Sequence, residues 1–166
     1  MPRRRLFLAQ CSILPLAACG FRLRGSTEMA FRSIYVNVAE GSLLGNELKR
    51  NLASSGALQV VSDAALQAQA QTILDIFGEQ REKTVVGVNA SGQVREFQLR
   101  LRMRFKLRTP QGQELIPETE LLLQRDISFN ESAVLAKEAE EGLMYRDMQT
   151  DIVQQLMRRL AAVRLA

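Results

Sequence analysis

The sequence predicts an α+β fold: a two-layer sandwich in which a mixed or antiparallel sheet of four to five strands carries two helices on one face and leaves the other face open. Three observations lead to it. A short strand–helix–strand pattern at 33–61 precedes three long strand-like segments at about 72–88, 94–109 and 113–128. The chain closes on a helical period at about 138–163. The middle strand segment also alternates without a break, with Phe97, Leu99, Leu101, Met103, Phe105 and Leu107 on one side and Arg100, Arg102, Arg104, Lys106 and Arg108 on the other. Successive strand side chains point to opposite faces, so one face enters a core and the other carries five cations about 6.6 Å apart.

The first eighteen residues stand outside this fold. Met-Pro-Arg-Arg-Arg leads into a stretch without charge from Leu6 to Ala18. A basic start, an apolar run of about 7–15 residues and a small-residue cleavage site make a secretory signal peptide. The run is too short for a transmembrane helix of about 20 residues, and Pro15 would interrupt a buried one. Leu16-Ala17-Ala18-Cys19 resembles the lipobox of bacterial lipoproteins, in which the signal is cut before the Cys and the thiol accepts the lipid. Cys11 fits less well, because the residue before it is Gln10. The reading is a cleaved lipoprotein signal peptide at 1–18, a lipidated Cys19 and tether at 19–33, and a single α+β domain at 34–166. Gly20 stands where lipoproteins of the inner membrane often carry Asp, so the same resemblance implies the outer membrane, with the protein lipid-anchored on the periplasmic side. Several acyl chains on one Cys give stable anchoring, whereas one binds marginally.

Within the domain, Ser33–Val38 reads as a β-branched strand and Ser42 as the N-cap of a helix. Leu44, Leu48 and Leu52 fall on one helical face, and Gly56 is placed to end it. A second strand covers 58–61, and Asp63 opens a short Ala- and Gln-rich helical turn. The strands at 72–88 and 94–109 are joined by Asn89–Gln93. The next turn, Pro110-Gln111-Gly112, suits a type I turn closed by a left-handed glycine. In the last helix, Tyr145, Met148, Ile152, Leu156, Leu160 and Val163 form the apolar stripe, and Arg158, Arg159 and Arg164 gather at the end that favours cations.

Composition narrows the function. Removing residues 1–18 from 166 leaves 148, enough for one sizeable core. That segment holds three of the 22 basic and none of the 18 acidic residues, so 19 cations face 18 anions and the net charge is +1. A nucleic-acid partner would call for a more basic domain. There is no His, which removes Ser-His and Cys-His dyads and the commonest metal ligand. No phosphate loop or other cofactor motif appears. The sequence therefore points away from an enzyme, and no metal or cofactor is implied.

The five cations have a local explanation to be weighed first. A three-residue loop at 110–112 sets Thr109 opposite Gln113, and therefore Arg108 opposite Glu114, Arg104 opposite Glu118 and Arg102 opposite Glu120. Lys106 then faces Ile116 and Arg100 faces Leu122, while Leu107, Leu101 and Leu99 meet Leu115, Leu121 and Leu123. In that register three cations have a cross-strand carboxylate, each pair contributing about 0.2–1 kcal/mol. Arg100 and Lys106 remain in surplus. Because Arg binds carboxylate and phosphate alike, such a row can also exchange its partners for a phosphate.

Three stretches together resemble the lipopolysaccharide-assembly lipoprotein E family. They are Cys19-Gly-Phe-Arg-Leu-Arg-Gly25, then Phe129-Asn130 through Ala136-Lys137 leading into Met144-Tyr-Arg-Asp-Met148, and Gln154-Gln-Leu-Met-Arg-Arg-Leu160. The resemblance implies a non-enzymatic plug subunit of a lipopolysaccharide-transport outer-membrane β-barrel, the transport protein D. Such a subunit assists assembly of the barrel and binds lipopolysaccharide during its insertion into the outer leaflet. Lys137 matches a Lys that the family uses for lipopolysaccharide, in a segment expected to lie before the last helix. The family's second basic contact falls at about Ala90 here, with Arg95 nearby. The ladder at 100–108 is not carried by the resemblance and rests on charge geometry. The alternative reading is a free-standing periplasmic lipoprotein that binds an anionic ligand or envelope polymer without a barrel.

Overall fold

The computed structural model describes residues 29–56 and 58–165. The expected signal peptide and Cys19 lie outside the described residues. Five strands and two helices follow in the order β1 (Ser33–Asn37), α1 (Leu43–Ser54), β2 (Gln59–Val61), β3 (Thr72–Val88), β4 (Val94–Arg108), β5 (Glu114–Ser128) and α2 (Val134–Ala161). Short 3-10 turns at Ala64–Gln69 and Glu131–Ala133 precede β3 and α2. The sheet order is β2-β1-β3-β4-β5. β1 runs parallel to both its neighbours, and β3, β4 and β5 form an antiparallel meander. The fold is α+β with a mixed five-stranded sheet, as the sequence predicts.

Each element follows from local chemistry. The Ser42 side chain accepts from Gly45 N at 2.9 Å and starts α1. The two long hairpins turn the same way: Asn89 N donates to Gln93 O and Thr109 N to Gln113 O, with Gly92 and Gly112 at φ 79° and 92°. Both are three-residue loops closed by a left-handed glycine. The odd residues of β4 from Leu99 to Leu107 are all buried, against Leu74, Ile76, Leu121 and Ile127 of the neighbouring strands. Leu44, Leu48 and Leu52 of α1 and Met148, Ile152, Leu156 and Leu160 of α2 close this side. Phe31, two residues before β1, is 2 % exposed and joins the same core.

The sequence-derived register of β4 and β5 holds only at its start. Arg108 does pair with Glu114, but Leu107 pairs with Ile116 and Phe105 with Thr119. From there Arg104 faces Glu120, Arg102 faces Leu122, Arg100 faces Gln124, Leu101 faces Leu123 and Leu99 faces Arg125. Lys106, expected opposite Ile116, falls where the ladder is interrupted. The cause is Pro117, which has no N–H to give and is accommodated where β5 takes up two extra residues. An offset of two preserves the side on which each residue lies, so the core face is unaffected.

α2 begins at Val134, four residues ahead of the expected start. Asn130 Oδ1 accepts from Ser132 N and Oγ, setting the 3-10 turn from which the helix grows. Lys137 is therefore in the first turn of α2 and not in a loop before it.

Candidate functional site

β4 puts Arg100, Arg102, Arg104, Lys106 and Arg108 on the face of the sheet opposite the helices. The columns beside it are acidic on both sides. β3 contributes Asp75 opposite Lys106 and Glu82 opposite Arg100, and β5 contributes Glu120 opposite Arg104. Asp75 reaches this face because β3 carries one extra residue between Phe77 and Gln80. Gly78 takes that irregular step at φ 66°, a conformation that costs other residues about 1–2 kcal/mol. Without it, Asp75 would point into the helix layer.

The cations divide into held and loosely held. Arg108 Nε donates to Asp75 Oδ2 at 2.8 Å, and Asn37 Nδ2 donates to Asp75 Oδ1 at 2.8 Å. Burial alone would push the Asp75 carboxyl up; those two hydrogen bonds and the charges of Arg108 and Lys106 outweigh it and hold it below its ordinary 3.8. Arg104 Nη1 donates to Glu118 at 2.9 Å, and its guanidinium lies 5.1 Å from the Phe77 ring centroid. Arg102 is held more loosely: its nearest carboxylates, Glu120 and Glu82, are 3.9 and 4.0 Å away, and its Nε makes no hydrogen bond. Arg100 donates to Gln98, at 2.8 Å, and Lys106 makes no ion pair among the described residues.

Two of the pairings expected from the wrong register are nevertheless made. Arg104–Glu118 and Arg102–Glu120 are diagonal contacts, within the reach of a long Arg across a twisted pair. Arg108 goes elsewhere, to Asp75 in place of Glu114. Asp75 and Glu82 were not anticipated as partners. The loop Asn89–Gln93 held the signal: the same hairpin arithmetic applied there puts Glu82 opposite Arg100.

Lys137 lies apart from this ladder. Its Nζ donates to Ser128 Oγ at 3.0 Å and to Glu140 at 2.8 Å, so it is neither fully exposed nor unpaired. Ser128 pairs with Glu96, next to Arg95, four residues beyond the Arg100 level, or about 13 Å along the strand. Arg95 lines a cavity of about 250 Å³ with Gln93, Asn130, Glu131 and Ser132. The expected ligand residues thus form two groups, one at the hairpin tip and one on the middle of the open sheet face. Cys19 lies outside the described residues.

The comparisons with known proteins agree with one another. The chain is 27% identical over 166 residues to the LPS-assembly lipoprotein LptE of Pectobacterium atrosepticum, covering 97% of this chain and 88% of that protein. It is 29% identical over 157 residues to the protein of the same name from Yersinia pestis, covering 93% and 74%. Among solved structures, an uncharacterized lipoprotein B from Nitrosomonas europaea superimposes with a TM-score of 0.73 at 35% identity, over 86% of this chain and 91% of that one. The rare lipoprotein B of Shewanella oneidensis shares the fold, with a TM-score of 0.66 at 17% identity over 79% of this chain and 95% of that one. The family model described as "LptE: Lipopolysaccharide-assembly" matches residues 31–160. That span takes in all five strands and all but the last residue of α2, and the chain belongs to the LptE lipopolysaccharide-assembly family.

Proposed function

We propose that this protein is a non-enzymatic outer-membrane lipoprotein, anchored through Cys19 on the periplasmic side, that works in lipopolysaccharide assembly. It plugs and assists assembly of the lipopolysaccharide-transport β-barrel and binds lipopolysaccharide on its way to the outer leaflet. The observation that carries this reading is the family match over residues 31–160. In the site itself, Arg104 and Arg108 are structural, held by Glu118 and Asp75. Arg100 and Lys106 make no ion pair among the described residues and are open to a phosphate, whereas Arg102 and Lys137 would take one in exchange for their contacts with Glu82 and Glu120 and with Glu140.

Charge exchange tests the ladder, because its two roles differ in sign. Glu118→Gln with Glu120→Gln should release Arg104 and Arg102 and tighten lipopolysaccharide binding, at a cost of about 0.2–1 kcal/mol per exposed pair. Arg100→Glu with Lys106→Glu should weaken it. Both effects should shrink at high salt, where the screening length falls to a few Å, about 3 Å at 1 M. Binding of lipopolysaccharide to folded protein at low salt, unchanged in both variants, would leave the ladder a salt-bridged surface.

Lys137→Asp should weaken the same binding several-fold. Losing the Ser128 and Glu140 contacts should cost at most about 1 kcal/mol in denaturant unfolding. A folded variant with unaltered binding would remove Lys137 from the site.

A further inference from the structure

The two edges of the sheet are finished differently. β2, at one end, spans only Gln59–Val61, and so short an edge offers little to pair with. β5, at the other end, runs from Glu114 to Ser128. Pro117 and the extra residues beside it interrupt only its start. From Thr119 to Ser128 the pairing with β4 is regular, about 33 Å of strand without a bulge, a Pro or a Lys. Those are the devices that usually blunt an edge.

One bond fixes the direction of the backbone groups along this stretch. Phe129 N donates to Arg95 O at 2.7 Å, and these two residues continue the ladder in which Ser128 faces Glu96. Hydrogen-bonded pairs alternate along an antiparallel ladder, so the odd-numbered residues of β5 turn their N–H and C=O towards β4. Glu120, Leu122, Gln124, Asp126 and Ser128 turn theirs outward, where no strand lies among the described residues. All five are exposed, Leu122 at 39%. Their side chains lie on the open face, because Arg104, Arg102 and Arg100 stand opposite Glu120, Leu122 and Gln124.

We propose that this edge takes up an extended segment of the barrel chain as a sixth strand. The source of that strand rests on the barrel partner proposed above. A closed barrel wall has no free edge, so the segment is a loop or terminal stretch of the barrel chain lying in the lumen. Outward backbone groups hold such a strand, and side chains select it. On the open face β3 carries Asp75 and Glu82, β4 carries the five cations with Glu96 near the tip, and β5 carries Glu114, Glu118, Glu120 and Asp126. Arg104 takes one oxygen of Glu118, and Arg102 lies 3.9 Å from one of Glu120. Glu114 and Asp126 make no ion pair among the described residues. On the helix side the stretch has one charge, Arg125, tied to Asp151 at 2.6 Å. The strand that fits therefore presents Lys or Arg to Glu120 and Asp126 and an apolar residue to Leu122. The same acids turn away a second copy. Two β5 edges paired about Leu122 or Leu123 would set Asp126 opposite Glu118 or Glu120, and like charges directly opposite are destabilising.

Amide hydrogen exchange, resolved by residue, tests the edge in full-length protein purified alone and with its barrel. In the complex the amides of Leu122, Gln124 and Asp126 should exchange about a hundredfold more slowly, while those of Leu121 and Leu123 are slow in both. Gln124→Pro removes one outward N–H and no bond to β4, so the melting temperature should hold. In that variant's complex the protection of Leu122 and Asp126 should fall about tenfold. Gln124→Ala, which keeps the N–H, should leave it intact, and Glu120→Lys with Asp126→Lys should reduce it. A benzophenone side chain at position 124 should cross-link, in cells, to a barrel segment of alternating cationic and apolar residues. Equal exchange of the outward amides with and without the barrel would overturn the sixth strand while leaving the plug in place. So would a cross-link to the barrel's wall strands, to a second copy of this chain or to no protein. If the unmodified protein brings down no barrel at all, the plug falls and the sixth strand with it.

Discussion

Asp75→Ala should destabilise the fold by about 2–4 kcal/mol, more than any other single polar substitution on the open face. Asp75 accepts from both Arg108 and Asn37, and its side chain is 11% exposed against 26% for that of Arg108. Hydrogen bonds to charged groups contribute about 1.5–3 kcal/mol, and breaking a fully buried pair from one side costs about 3–5. A partly buried pair falls between. The loss arises largely from leaving Arg108 with no carboxylate, so Asp75→Leu combined with Arg108→Met should recover most of it. Denaturant unfolding of the two variants measures both.

The same residue gives a pH signature. The folded Asp75 carboxyl titrates below its ordinary 3.8, so its contribution is complete above that value and is lost as pH falls through the lower, folded one. The stability gap between the protein and its Asp75→Asn variant should be constant from about pH 5 to 8 and close below about pH 4. A gap that persists unchanged into acid would mean that ionisation of Asp75 contributes nothing.

Cys19→Ala should have the largest effect on the cellular protein. With the Cys19 thiol gone, labelled palmitate should no longer be incorporated, and the chain should move from the membrane to the soluble periplasmic fraction. Assembly function should survive in part where a barrel holds the domain by its own contacts. Palmitate on the variant would place the lipid elsewhere.

Much of this fold was legible because its signals are periodic. The alternation of β4 identifies both the core face and the cationic face, and the Leu44, Leu48, Leu52 spacing identifies the buried side of α1. Irregular steps were what the pattern concealed. Gly78 inserts one residue into β3 and Pro117 accompanies two in β5, and no alternation rule announces where a strand departs from its partner. Consequently the core-facing residues follow from the pattern, while the cross-strand register does so only at Arg108–Glu114, although the expected Arg104–Glu118 and Arg102–Glu120 contacts are made diagonally. The start of α2 was missed for another reason. Leu135 is 83% exposed, so the first turn shows no stripe facing a core. The capping chemistry of Asn130 and Ser132 was the available signal. At the site, charge alternation found the ladder, but Asp75 sits in a run of buried residues from Thr72 to Ile76, where a carboxylate carries no periodic mark.

The proposed function makes this family member a subunit of a barrel complex that does not act alone. Its most direct test is purification of the tagged, full-length protein from native outer membranes in mild detergent, with the mass and stoichiometry of whatever accompanies it. The expected companion is a single large outer-membrane β-barrel, the lipopolysaccharide transporter, in equimolar amount and carrying lipopolysaccharide. Recovery of the chain alone, with the barrel intact and unbound in the same extract, would contradict it.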